Sequence, residues 1–118
     1  VNIVDESLMA GLSCGEVSLL GWQILKPGAR HFMTISDAPV APLMQLLAVG
    51  VSGDSPIVAG ESAIAGLAGL IGAMQSERLA REMNLDAQSR VLVFGTEGAT
   101  DPEVFEALVG TSAEKIAA

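Results

Sequence analysis

Arg90-Val91-Leu92-Val93-Phe94-Gly95-Thr96-Glu97-Gly98-Ala99-Thr100-Asp101-Pro102-Glu103 joins a short apolar run, a glycine-bounded corner and a helix start. Arg90 to Phe94 is of the length and composition of a strand covered on both faces. Gly95 to Thr100 reads as a loop. Asp101-Pro102 opens a helix, with Asp as the N-cap, Pro at the first helical position and Gly110 as the stop. A buried strand, a polar corner at its carboxyl end and a helix together form the unit of a parallel sheet covered by helices. Ligands of such sheets sit outside the carboxyl ends of the strands.

The same alternation extends to both sides. Upstream, Ile57 to Ala59 reads as a second buried strand, Gly60-Glu61-Ser62 as a strand-to-helix corner, and Ser62 to Met74 as a helix. That helix carries Gly66, Gly69 and Gly72, each costing about 1 kcal/mol of helix propensity against Ala. Close packing on a neighbour is expected to offset the sum of about 3 kcal/mol. His31 to Ile35 is a third short strand. Ser36 is the expected N-cap, and Asp37 the first-turn acid, of a helix reaching about Val49. Val17 to Leu25 reads as a helix stopped by Lys26-Pro27-Gly28. Ser52 to Pro56 is turn chemistry, and Ser76 to Met83 is a short charged helix. Glu6 to Ser13 is ambiguous, Val1 to Val4 is a weak strand, and the tail from Thr111 is expected to fray. The fold class expected is therefore α/β: part of a three-layer α/β/α domain with a short, mostly parallel sheet.

The chain has 118 residues, one domain's worth, of which 50% are hydrophobic and 17% charged. Its mean hydropathy of +0.49 is too apolar for a disordered chain. Six basic against fourteen acidic residues leave a net charge of −8. That balance disfavours nucleic acid and anionic membrane surfaces as partners. Cys14 is the single cysteine and His31 the single histidine, so neither an internal disulfide nor a His/Cys metal site is expected. The lone cysteine also fits a cytoplasmic setting. Ile57 to Met74 is apolar but interrupted by Glu61-Ser62 and rich in glycine, which fits strand, turn and helix better than a membrane span. The chain begins with Val1, and a sheet of three or four strands is thin for a complete α/β domain. Both observations lead us to expect a piece of a longer protein.

Three segments have the composition of ligand-contacting corners. They are Met9-Ala10-Gly11-Leu12-Ser13-Cys14-Gly15-Glu16, Gly60-Glu61-Ser62-Ala63, and Gly95-Thr96-Glu97-Gly98. Each can equally be a plain structural turn. Ser62 could hold an anion at a helix N-terminus or act only as an N-cap. Cys14 could be a nucleophile, but the buried small thiol is the preferred reading. His31 is read as a surface or packed residue rather than a base. Glu77, Arg78, Arg81 and Glu82 are read as a solvated, charge-paired helix face.

In order and spacing, these three segments resemble the C-terminal third of the diaminopropionate ammonia-lyases. This family lies within the tryptophan synthase β-like, fold type II group of pyridoxal phosphate enzymes. Thr96-Glu97-Gly98-Ala99-Thr100-Asp101-Pro102-Glu103 is the most specific part; in the second segment Ala63 stands where glycine is common in the family. The resemblance implies that residues 1–118 form the C-terminal portion of a large cofactor-binding domain. It implies pyridoxal 5'-phosphate as cofactor and an amino-acid substrate. The activity implied is α,β-elimination of 2,3-diaminopropionate to pyruvate and ammonia. A homodimer is implied as well, with the rest of the polypeptide as the nearest partner.

By the family pattern, Thr96 faces the pyridine nitrogen of the cofactor. A neutral hydroxyl would leave that nitrogen largely unprotonated and weaken the electron sink. Gly11 and Leu12 are expected beside the cofactor ring, and Glu61 and Ser62 at the neighbouring corner. Glu97 is expected either as a second partner of the ring nitrogen or as a helix-capping acceptor, and Glu16 near the substrate amino group. Lys26 and Lys115 are the only lysines, and neither has the sequence context of a Schiff-base lysine. A glycine run for the phosphate is also missing, so no catalytic residue is assigned and the piece alone is expected to be inactive. The alternatives are a piece of a threonine dehydratase- or threonine synthase-like enzyme, or a stand-alone small α/β binding module.

Overall fold

The computed structural model describes residues 4–118; the strand expected from Val1 to Val4 falls largely outside them. Every regular element among the described residues is helical. A 3-10 turn at Ala10–Leu12 precedes α1 (Leu19–Gly28) and α2 (Val40–Val49). A second 3-10 turn, Glu61–Ile64, runs directly into α3 (Ala65–Met74), followed by α4 (Glu77–Glu82), α5 (Pro102–Val109) and α6 (Ala113–Ala117).

The centre forms around α2. Val40, Leu43 and Met44 lie on one stripe of it and are buried. They meet Ile64 from the second turn, Ala68 from α3, Phe105 from α5, and Met9 just before the first turn. Phe105, Met44, Ile64 and Val40 are the largest fully buried side chains. Burying such a side chain stabilises the fold by about 1.5–3 kcal/mol. The side-chain amide Nε2 of Gln45 donates to the Leu108 carbonyl at 2.7 Å and ties α2 to α5.

Local chemistry sets several boundaries where the sequence places them. The Asp101 carboxylate accepts from Glu103 N and Val104 N, both at 3.1 Å. Pro102 follows at the first position, and Gly110 closes α5 in a left-handed conformation with φ 86°. Ser76 caps α4, and Arg78 pairs with Glu82 at 2.9 Å on its exposed face. Other boundaries differ. α1 starts after Ser18 rather than at Val17 and continues through Pro27. α2 is preceded by Pro39, not capped by Ser36. The expected frayed tail contains α6.

The expected α/β class, a short mostly parallel sheet in three layers, is not what the chain forms. No strand occurs among the described residues. The runs 31–35, 57–59 and 90–94 are non-helical chain, but a strand is defined by its ladder, which sequence periodicity does not supply. Neither His31 to Ile35 nor Arg90 to Phe94 makes a backbone–backbone hydrogen bond among the described residues, while Ile57 N–H goes to the Leu47 carbonyl of α2 at 2.8 Å. Side chains expected in a double-sided core are instead exposed, Leu92 and Phe94 each at 78%. The glycine face of α3 receives one of these runs: a Cβ on Gly66 would lie 3.2 Å from the Val93 Cβ. Gly72 has nothing within 4 Å, so close packing accounts for only part of the glycine stripe.

Candidate functional site

The three motif segments meet. Gly11 N–H donates to Ser62 Oγ at 3.0 Å across 51 residues. Ser62 N–H in turn donates to Glu97 Oε2 at 2.6 Å across 35 residues, a short bond of the charge-assisted type. Gly60 N–H donates to the Glu97 carbonyl at 3.0 Å. Glu97 thus holds the Gly60–Ser62 corner with both its main chain and its side chain, and Ser62 passes the connection on to the Ala10–Leu12 turn.

Two glycines exist for this junction. A Cβ on Gly60 would collide with the Gly98 carbonyl oxygen and lie 2.7 Å from Glu97 Cγ. A Cβ on Gly11 would lie 2.8 Å from Ser62 Oγ and 3.4 Å from Glu97 Oε1. At Gly60 the close approach of another backbone, rather than a positive φ, requires glycine; at Gly11 the crowding comes from the Ser62 and Glu97 side chains.

A second clasp holds the other end of the same segment. Asp37 accepts from the Ser7 hydroxyl and from Leu8 N–H, both at 2.7 Å. The Leu8 amide first, and the Ser7 hydroxyl second, hold the Asp37 carboxyl below its ordinary pKa. The Asp37 carboxylate therefore serves the segment before Gly11 and not the first turn of α2. Ser62 lies inside its 3-10 turn, whose N-cap is Gly60. Its hydroxyl oxygen accepts from Gly11 rather than capping its own helix. No local signal marks either role, because each partner is roughly thirty to fifty residues away in the chain.

Of the expected site residues, Gly11, Glu61, Thr96 and Glu97 are in or directly beside the junction, and Leu12 is the exposed last residue of the first turn. Thr96 is exposed and its hydroxyl makes no hydrogen bond among the described residues. A cavity of about 290 Å³ is lined by Val58, Ala59, Ala63, Val93, Gly95 and Glu97 among others; Thr96, between the last two, does not line it. An exposed neutral hydroxyl without a partner is a donor of the kind that suits an uncharged ring nitrogen. Cys14 is exposed, not the buried thiol expected. His31 is exposed and borders a separate hollow with Leu79 and Glu82. Among the described residues, no three His, Cys, Asp or Glu side chains are grouped to hold a metal. No helix there is long and apolar enough to cross a membrane.

Comparison with known proteins bears out the family resemblance carried by the three motifs. Over 107 residues, 87% of this chain, it is 36% identical to the diaminopropionate ammonia-lyase of Salmonella typhimurium strain LT2, covering 26% of that protein. The diaminopropionate ammonia-lyase of Escherichia coli K12 is likewise 36% identical over 107 residues, with 27% of its length covered. The chain therefore spans about a quarter of the length of these relatives. No family model matches the chain, and no solved structure matches it.

Proposed function

We propose, from this homology to the diaminopropionate ammonia-lyases, that the chain is the C-terminal segment of a pyridoxal phosphate-dependent ammonia-lyase. The proposed reaction is α,β-elimination of 2,3-diaminopropionate to pyruvate and ammonia, carried out in the cytoplasm by a homodimer. One observation carries the reading furthest: the three motif segments, distant in sequence, converge on the Gly11–Ser62–Glu97 junction. In this reading the anchoring lysine, the phosphate loop and the acid–base groups belong to the part of the enzyme that this chain does not span.

In this reading, the chain supplies one wall of the cofactor site. Pyridoxal phosphate would supply an electron sink for the chemistry at Cα. Thr96 would offer the ring nitrogen a neutral hydroxyl, where a carboxylate would favour its protonation. That choice limits the electron-withdrawing power of the ring and so favours prompt loss of the β-amino group over competing transamination. Gly11 and Leu12 bring backbone and side chain close to the ring. Ala59 and Ala63 keep the hollow free of bulk, and Glu61 flanks the corner.

The test uses the full-length enzyme. Wild type is expected to bind pyridoxal phosphate and to release pyruvate and ammonia from 2,3-diaminopropionate in preference to threonine. Thr96→Asp is expected to lower the elimination rate and raise long-wavelength cofactor absorbance during turnover. Absence of pyruvate production by wild type overturns the reaction assignment. An unchanged spectrum in T96D overturns the role of Thr96.

A further inference from the structure

The polar bonds anchoring the corner that carries Thr96 are all made by the next residue. Thr96 itself makes none, whereas Glu97 accepts Gly60 N–H through its carbonyl and Ser62 N–H through Oε2. Ser62 then fixes Gly11 through its hydroxyl. The two contacts lie in series: whatever moves the Glu97 carboxylate moves Ser62, and with it the Ala10–Leu12 turn. A Cβ on Gly60 would meet the Gly98 carbonyl oxygen and the Glu97 side chain, and a Cβ on Gly11 would meet the side chains of Ser62 and Glu97, so the three segments are closely packed.

We infer that Glu97 is a positioning residue for the cofactor site. Its carboxylate sets the separation between the Thr96 hydroxyl and the Gly11–Leu12 backbone by way of Ser62, and does not itself contact the cofactor. The inference rests on the functional reading above and goes beyond it, since it assigns a task to a carboxylate and a serine that the chemistry does not require. Oε2 is committed to the Ser62 amide at 2.6 Å. A carboxylate in that bond is a fixed strut between two corners, and the dimensions of the site follow from it.

The experiment uses full-length enzyme loaded with pyridoxal phosphate and the variants Glu97→Gln, Glu97→Ala, Ser62→Ala and the double variant E97A/S62A. Gln retains an oxygen for the Ser62 amide, so E97Q is expected to keep cofactor absorbance, its induced circular dichroism and the pH profile, with kcat/KM within about threefold of wild type. E97A is expected to weaken cofactor binding about tenfold or more and to reduce the induced circular dichroism measured well below the melting temperature. S62A is expected to show a smaller loss of the same kind, about three- to tenfold. Because the bonds are in series, E97A/S62A is expected to be no worse than E97A alone. A direct cofactor contact would shift the E97Q spectrum as much as the E97A spectrum, and that result overturns the inference. So does an E97A enzyme that melts earlier but binds the cofactor with wild-type affinity and dichroism. Should E97A fail to fold, S62A with unchanged cofactor affinity overturns it independently. Failure of wild type to take up the cofactor defeats the functional reading itself, and is told apart from the other outcomes by that control.

Discussion

α1 and α2 are both ten residues long and both apolar, yet they occupy opposite environments. α2 buries Val40, Leu43 and Met44 and is held to α5 by Gln45. α1 buries none of its side chains, and Leu19 is 81% exposed. The contrast teaches that apolar composition supplies only the capacity for burial. α2 realises that capacity because Ile64, Ala68 and Phe105 arrive from three other elements. Around α1, the described residues offer no comparable set of neighbours.

Substitutions on the two helices are the sharpest way to break this contrast. Phe105→Ala is expected to destabilise the fold by about 3–5 kcal/mol and Met44→Ala by about 2–5 kcal/mol, measured by chemical denaturation. Leu20→Ala in α1 is expected to stay within about 0.5 kcal/mol. Equal losses at Met44 and Leu20 would show that α1 is packed and erase the distinction.

A smaller effect sharpens the account of how the α2 centre is framed. Asp101→Ala removes the acceptor for two amides at the start of α5 and is expected to cost about 1 kcal/mol. Asp101→Asn should recover most of it, and equal losses from both would point to charge rather than capping.

The smallest effect is a pH dependence at the edge of the centre. The Asp37 carboxyl has a folded-state pKa below its ordinary 3.8. Its contribution is therefore fully present above that value and is lost as pH falls through the lower folded-state value. Protease nicking near Ser7 and Leu8 is expected to rise at strongly acid pH in wild type. Asp37→Asn should flatten that rise, and an identical rise in the variant would assign it to another group.

Local chemistry is readable at the helix ends where a single residue caps or stops the helix. Asp101, Pro102, Gly110 and Ser76 are the clearest cases, because a cap acts within three or four residues. The sheet was misread because an apolar run such as Val91–Phe94 states a conformation and a solubility, whereas a ladder also needs a partner at the right distance. Residue type alone suggests a cap at Ser36 and a cap or anion site at Ser62. Ser62 turned instead to Gly11, and Pro39 took the position before α2. The motif segments could be picked out one by one, but their meeting is non-local. The glycines at 11 and 60 are its trace in the sequence, since the crowding that excludes a Cβ there leaves no mark on polarity or periodicity.

The start of α3 carries one further implication. Its entry turn has no side-chain cap of its own, and the Ser62 amide is satisfied by a carboxylate from beyond α4. The helix has thus borrowed its beginning from a distant loop, so the two ends of that bond cannot fray separately. Deuterium uptake at the Ser62 amide then gauges how often the 95–98 loop lifts away.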